Sequence, residues 1–455
     1  VNHTTERAEM VIDRLTGQFA ETLQGWMDEA SEEEDLTLDT LEQSVRSGLR
    51  TIGRQILQAL VDARGTGKTE EEVLCPACGE VLSFIRYQEK GVETFLGGIR
   101  PERAYFHCAN CGEGYVPLDQ ELNVGPGALS GPLEEAICHL ATYMPVQEVS
   151  NQLERLVGVS VDDNTVQRAS ERVGAVLATH QKEEMEAAWE AAEPPAMEVD
   201  EPPERLYLSV DGTIVRLREG KREVKVAAIY ETEEVTHSDG TKEVCAVDVT
   251  YVVSFEEAKT FARYVYVEAA RRGLEQAEEV IVLGDGASWI WNHISDLCDE
   301  PLEILDFYHA SKHVWAAAEA LYGEDTPESK AWVNERLVEL LMGGPDAMLA
   351  GFWTASQDAS GKAGKALARE MKYFRKHKEK MHYTQLKADG YHIGSGTVES
   401  ACKRIIGGRL KQAGMIWSRE GAKAMAHLRA TVLNGRWDSK WATYDRATRT
   451  IHSAA

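Results

Sequence analysis

Two short cysteine pairs constrain this chain more than any other feature. Cys75-Pro-Ala-Cys78 and Cys108-Ala-Asn-Cys111, each followed by glycine, are separated by 29 residues. Four thiolates gathered by two tight turns suit tetrahedral zinc, and the glycine after each pair lets backbone N–H groups turn toward sulfur. Four protein ligands leave no open position, so the Zn²⁺ expected here is structural and residues 71–118 read as a zinc ribbon; a redox dithiol is the alternative. Phe84, Tyr87, Phe95 and Tyr105 lie between the pairs in strand-like surroundings. The other cysteines, Cys138, Cys245, Cys298 and Cys402, are scattered and read as small core residues. That pattern suits a reducing compartment and not a disulfide framework.

Helical periodicity dominates on both sides of this segment. Val11, Leu15, Phe19, Leu23 and Met27 recur at steps of four, and Leu38, Leu41, Val45, Leu49, Ile52, Ile56 and Leu60 mark a second long helix. Residues 1–70 are therefore expected to hold a helical hairpin. The stretch Arg-Gly-Thr-Gly-Lys-Thr at 64–69 invites comparison with a phosphate-binding loop. Asp62 stands where that pattern needs its first glycine, and no apolar strand precedes it, so the stretch reads as a flexible linker. Residues 119–192 predict a helical bundle with a turn at Gly158 and a helix from Asp163. This is helix-turn-helix-like, with Thr165, Gln167 and Arg168 as candidate DNA contacts, although a plain three-helix bundle fits the same pattern. A proline-rich acidic linker at 193–205 follows.

Beyond the linker the period changes. Strands are expected at "RLYLSVDGTIVRL", "EVKVAAIYE" and "EVCAVDVTYVVS", then a helix, then strands at "EVIVLGDG" and "LEILD". The order βββαβαβ places Asp211, Asp285 and Asp306 at strand ends, where side chains leave a buried sheet for a crevice. Asp211 and Asp285 each follow an apolar run and precede glycine. Close carboxylates repel one another, so a cation is their natural partner, and oxygen ligands favour Mg²⁺ or Mn²⁺. Glu399 in "HIGSGTVESACKR" is a third acid, which on its own reads equally as a complement to a helix dipole.

Four stretches together, "LSVDGT", "LGDGASWIWN", "DFYHASKHVW" and "GSGTVESACKR" with the "RLKQAGMIWSREGAKAMAHLRA" that follows, resemble bacterial insertion-sequence transposases of the ISKra type. These are DDE enzymes of the Mutator-like branch with an RNase H-like core. The resemblance implies an α/β catalytic core at 206–310, a helical insertion at 311–385, completion of the core at 386–437 and a C-terminal tail at 438–455. It implies Asp211, Asp285 and Glu399 as ligands of two Mg²⁺ (or Mn²⁺) ions, with Asp306 and His309 as a supporting D-x-x-H element. The 114 positions between Asp285 and Glu399 are too many for a minimal core, which agrees with an insertion.

Charge placement bears on partners. The chain of 455 residues carries a formal charge of −26, which at first disfavours nucleic acid. Residues 361–380 are nevertheless net +6 and residues 400–437 net +7. Screening limits distant charges to about 10 Å, so a local basic face can hold phosphate. Lys372, Arg375, Lys376, Lys403, Arg404, Arg409 and Lys411 are the candidate contacts with double-stranded DNA, and Trp417 a candidate for base stacking. Solvated helix faces, an i,i+4 pair between Glu399 and Lys403, and core packing of Trp417 are the plain alternatives. His309 and His313 lie one turn apart, but a zinc pair there is not expected. Handling two element ends and a target implies a homodimer or higher oligomer. No apolar run is long enough to span a membrane, and the opening "VNHTTERAEM" lacks signal-peptide character, so a cytoplasmic, nucleoid-associated protein is expected. The rival functions are a nuclease on the same fold without strand transfer, a non-catalytic DNA-binding protein, and a two-carboxylate glycoside hydrolase.

Overall fold

The computed structural model describes residues 2–32, 37–125, 127–191 and 201–444. The chain divides into two compact units, residues 1–173 with 437–455, and residues 174–436. In the first unit the two long helices are Asn2–Glu32 and Leu38–Ala63, packed as an antiparallel pair. A three-stranded antiparallel sheet follows: β1 (Ser83–Glu89), β2 (Glu102–His107) and β3 (Gly114–Tyr115). The loop at 64–69 is not the free linker expected. The Ala104 N–H donates to the Thr66 carbonyl at 2.8 Å, and Lys68 Nζ sits 4.1 Å from the centre of the Phe84 ring. Helices Gly131–Ala141 and Val146–Gln152 pack together, the chain turns at Gly158, and helix Asp163–Glu190 begins in this unit, where its Arg172 pairs with Glu134.

Most of the linker at 193–205 lies outside the described residues, as do 445–455 of the tail. The start of that tail is structured. Residues 437–444 are helical, the Trp437 and Trp441 rings stack, and Trp437 Nε1 donates to Glu135 at 3.2 Å. Three aromatic residues within eight positions bury more apolar surface than a solvated tail could leave exposed.

The second unit is built on a five-stranded sheet in the order β6-β5-β4-β7-β8. Its strands are β4 (Arg205–Leu217), β5 (Gly220–Thr236), β6 (Lys242–Ser254), β7 (Glu279–Gly284) and β8 (Leu302–Leu305). β4, β5 and β6 form an antiparallel meander, while β7 and β8 add in parallel beside β4. Strand alternation divides β4 between two faces. Leu206, Leu208 and Val210 pack with Phe261 and Val265 of helix Ala258–Ala270 and with Ile290. Tyr207, Ser209 and Asp211 share the opposite face, which segment 391–402 covers: the His392 N–H donates to the Tyr207 hydroxyl at 3.0 Å, and helix Gly396–Ala401 packs on β4 and β5. Asp211 is not at a strand end, because β4 runs on in a hairpin with β5 as far as Leu217.

Between β8 and that segment lie helices Phe307–Tyr322, Pro327–Asp358, Gly361–Lys376 and Tyr383–Ala388. The second of these is two helices joined at Gly344, whose φ of 77° and following proline break the turn. Trp332, Phe352 and Phe374 pack in sequence across them. No described helix is long and apolar enough to cross a membrane.

Asp306 fastens this insertion to the sheet. It caps helix Phe307–Tyr322 by accepting from the Tyr308 and His309 N–H groups at 3.1 and 3.0 Å. Its carboxylate also accepts from the Ser395 N–H at 2.8 Å and the Ser395 hydroxyl at 2.6 Å, and is only 3% exposed. Removing it strands four donors. Asp306→Ala is expected to lower unfolding stability by about 3 kcal/mol in a denaturant titration; a loss under about 1 kcal/mol would show the brace to be dispensable.

Candidate active site and cysteine cluster

The parallel register of β4 and β7 sets up the site. Its last pair is Val210↔Gly284, and the next residue on each strand is an acid, Asp211 and Asp285. Period two puts both on the face away from helix Ala258–Ala270. Adjacent strands run about 4.8 Å apart, so the two carboxylates are neighbours. Their proximity registers electrostatically. Burial pushes the Asp211 carboxyl above its ordinary range, and the charge of Asp285 raises it further against the Gly212 N–H, Lys312 and Cys402.

Glu399 arrives from the helix covering that face. Ser395 is the N-cap residue of helix Gly396–Ala401, and Asp306 holds it. The next turn is a π-helix, Cys402–Gly407, a form frequent at functional sites. It brings Cys402 Sγ to 3.8 Å from Asp211 Oδ2, and the charges of Asp211 and Glu399 both help to raise the Cys402 thiol, which burial raises most, to about 12. Glu399 itself is half-exposed and paired with Lys403 at 3.2 Å, the i,i+4 contact foreseen as its plain reading. Asp211 and Asp285 are neighbours on the sheet, and Glu399 acts with Asp211 on the Cys402 thiol, but among the described residues the three acids form no tight cluster. Among the described residues, Cys75, Cys78, Cys108 and Cys111 are the one such group whose ligand atoms all lie within 4.8 Å.

Several neighbours of the acids escaped sequence reading. Tyr373 donates its hydroxyl to the Asp285 carbonyl at 2.8 Å and stacks on His313 at 3.7 Å. Glu370, 2% exposed, meets His313 Nδ1 at 2.6 Å. A signal for Glu370 existed: it shares the apolar face of a basic helix with Leu367, Met371 and Phe374. Cys402 looked like ordinary core, and nothing in its spacing marked it. Trp289 and Trp291 pack against the core.

The candidate DNA contacts fare unevenly. Lys372, Arg375 and Lys376 are exposed on helix Gly361–Lys376, and Lys376 Nζ reaches Ser288, three residues after Asp285, at 3.4 Å. Lys362, Lys365, Arg369, Lys372 and Lys376 recur at steps of three and four, which makes one cationic stripe. Lys403 and Arg404 are exposed, and Lys411 donates to the Thr213 hydroxyl at 2.5 Å. Arg409 is a correction. It is fully buried under the Trp417 ring, 4.9 Å from its centre, so neither the cation nor that ring face is presented to a nucleic acid. Burial draws its pKa down to about 10. Near the start of helix Asp163–Glu190, the Thr165 hydroxyl donates to Asp162 at 2.5 Å and the Gln167 amide to Glu171 at 2.9 Å, whereas Arg168 is exposed. Asp162 and Asp163 make this end acidic, which disfavours phosphate.

The cysteine cluster is closely built. Gly79 and Gly112, at φ of 77° and 80°, turn their N–H groups back onto the Cys75 and Cys108 carbonyls. Cys75–Cys111, Cys78–Cys108 and Cys78–Cys111 Sγ separations are 3.6, 3.5 and 3.6 Å. A tetrahedron of 2.3 Å Zn–S bonds has edges of about 3.8 Å, so the set can hold a metal such as zinc. The Cys111 backbone N–H does most to draw the Cys108 thiol down to about 7, while, against the Glu113 N–H, the neighbouring sulfurs and burial push the Cys111 thiol up to about 12, as in a set of close thiols that ionise one at a time until a cation arrives.

The site and fold define a mixed α/β chain with two level acids on a five-stranded sheet and a separate four-cysteine cluster. The chain belongs to the uncharacterised protein family UPF0236, whose family model matches residues 31–445. It is 26% identical over 396 residues to a UPF0236 protein of Caldanaerobacter subterraneus subsp. tengcongensis, covering 84% of this chain and 75% of that protein. The name of that relative joins eleven locus designations.

The cysteine geometry yields a direct measurement. Protein purified without chelator should carry about one zinc per chain by elemental analysis, and Cys75→Ser with Cys111→Ser should abolish it and lower Tm. Metal-free wild type with an unchanged Tm would refute a structural ion.

Proposed function

We propose that this chain is a DDE transposase of the insertion-sequence type, which cleaves DNA at element ends and joins the freed 3′-hydroxyl to target DNA. One observation carries the reading: the β4/β7 register ends with an acid next on each strand, on the face from which Glu399 approaches. The order β6-β5-β4-β7-β8, an antiparallel meander followed by two parallel strands, is the one an RNase H-like core requires. The helices between Asp306 and Glu399 support reading that stretch as a helical insertion. The four-cysteine unit supports a zinc ribbon, since its knuckles flank a three-stranded antiparallel sheet. A relative under eleven locus designations is what a repeated mobile element would leave in a genome.

Asp211, Asp285 and Glu399 would hold two divalent cations, Mg²⁺ or Mn²⁺. The donors are all oxygens, and ionised Asp211 is disfavoured beside Asp285 until positive charge arrives. When bound, such ions lower the pKa of an attacking hydroxyl and stabilise the leaving oxygen. To join the set, Glu399 must leave Lys403, and an exposed pair of this kind resists by only about 0–1 kcal/mol. Lys403, once released, is placed to meet a phosphate. The stripe on helix Gly361–Lys376 would follow the DNA backbone toward Asp285 without reading sequence. The homodimer or higher oligomer, and the nucleoid-associated place in the cell, belong to this reading as well.

Purified Glu399→Gln should bind element-end DNA and keep the wild-type fold, yet neither nick nor join it in Mg²⁺; full activity would overturn the assignment. Pre-nicked ends separate transfer from cleavage, and hydrolysis alone would favour the nuclease.

Asp211 supplies a second test through stability. Its pKa in the folded chain is raised, so ionisation costs stability above the unfolded pKa, and the cost fades as pH falls through the folded value. In metal-free buffer at neutral pH, Asp211→Asn should therefore raise Tm. Added Mn²⁺ should stabilise wild type but not the variant. Equal stabilisation of both would exclude Asp211 as a ligand.

A further inference from the structure

A partly buried chain of hydrogen bonds links helices Phe307–Tyr322 and Gly361–Lys376. Helices Phe307–Tyr322 and Gly361–Lys376 pack together, and between them Glu370 Oε2 lies 2.6 Å from His313 Nδ1. His313 Nε2 in turn lies 3.2 Å from His309 Nε2. The other Glu370 oxygen accepts from Arg369 Nε and Nη2 at 2.8 and 2.6 Å. Tyr373 lies flat on His313, its ring tilted by 18°, and its hydroxyl grips the Asp285 carbonyl. A carboxylate 2% exposed has no place in a basic helix unless its partners hold it.

With one hydrogen on His313, these contacts determine where the others lie. An ionised carboxylate only accepts, so Glu370 requires a hydrogen on His313 Nδ1. Neutral His313 then has a bare Nε2, which accepts from His309. His309 must carry its hydrogen on Nε2, and its Nδ1 is left as a free base. The groups facing this pair are Asp285, Asp306 and Lys312 around His309, with Glu370, Arg369, Tyr373 and His377 around His313. Burial and His313 favour neutral His309, against the pull of Asp285 and Asp306.

We infer that Glu370 and His313 are positioning residues that hold His309 in its Nε2–H tautomer, so that its Nδ1 takes up a proton during phosphoryl transfer. The inference rests on reading Asp211, Asp285 and Glu399 as the phosphoryl-transfer site. The proton released by the attacking hydroxyl as its oxygen bonds to phosphorus is taken on His309 Nδ1. The His309 Nε2 proton passes to His313 Nε2, and the positive charge comes to rest on His313 beside Glu370 and the Tyr373 ring. The reverse transfer protonates the departing 3′-oxygen, so no net proton is gained or lost by the chain.

Arg369 makes the test sharp. In Glu370→Gln the amide oxygen must stay with the Arg369 donors, which turns the amide NH₂ toward His313 Nδ1. Both imidazoles should then invert, leaving His309 with Nδ1–H. Two-bond imidazole ¹H–¹⁵N spectra of the full chain without DNA, assigned through His309→Gln and His313→Gln, read this directly. Wild type should show His309 as Nε2–H and Glu370→Gln as Nδ1–H, with Glu370→Asp restoring the wild-type form. DNA nicking in Mg²⁺ should fall about 100-fold in Glu370→Gln, at unchanged DNA affinity. An Nδ1–H His309 in wild type, an unaltered tautomer in the variant, or a second zinc equivalent lost with His313→Gln would each overturn the inference. Absence of nicking by wild type would overturn the site reading, and the proton role with it, whereas the tautomers test the hydrogen-bond chain either way.

Discussion

The second unit depends on the parallel pairing of β4 with β7. That pairing requires both strands to be buried on two faces, which their runs of Leu, Val and Ile satisfy. A slip of one residue would turn Asp211 into the core occupied by Phe261 and Val265, and would carry Val210 to the face that segment 391–402 covers. Because that exchange is costly, the register is unambiguous. The two acids are level as a consequence of how the strands bury themselves, and repulsion between them is the cost that burial outweighs.

The same logic explains the helical insertion. A long detour between β8 and Glu399 would leave the third acid poorly placed if its two ends were independent. Asp306 removes that freedom by capping one end of the insertion and bonding Ser395 at the other. The insertion then contributes more than bulk. Helix Gly361–Lys376 turns its apolar face, with Glu370 among it, inward and its cationic stripe outward. One helix thereby serves the histidine pair on one side and presents its cationic stripe to solvent on the other.

How much of this was legible in advance varies with the range of the interaction. The order βββαβαβ, the turn at Gly158 and the glycine turns of the cysteine knuckles all follow from local period or turn chemistry, and these were readable. Asp211 as a mid-strand residue was not. The Asp-Gly that suggested a strand end is overridden by eleven pairs of hairpin with β5. Arg409 misled for a related reason. Lys and Arg usually mark surface, and only the packing of Trp417 over the guanidinium makes this one interior. The acidic start of the supposed recognition helix was visible in Asp162 and Asp163 and bears against the DNA contacts proposed there.

By itself the sequence determined the elements, the four thiols that must meet, and which acids stand beside apolar strands, because periodicity, glycine turns and burial preference act within a few residues. Tertiary structure alone decided that Asp211 and Asp285 are level, that Glu399 rests on Lys403, and that Glu370 reaches His313 from 57 positions away. Those outcomes depend on sheet register and on the packing of helices distant in the chain, and no local signal encodes either.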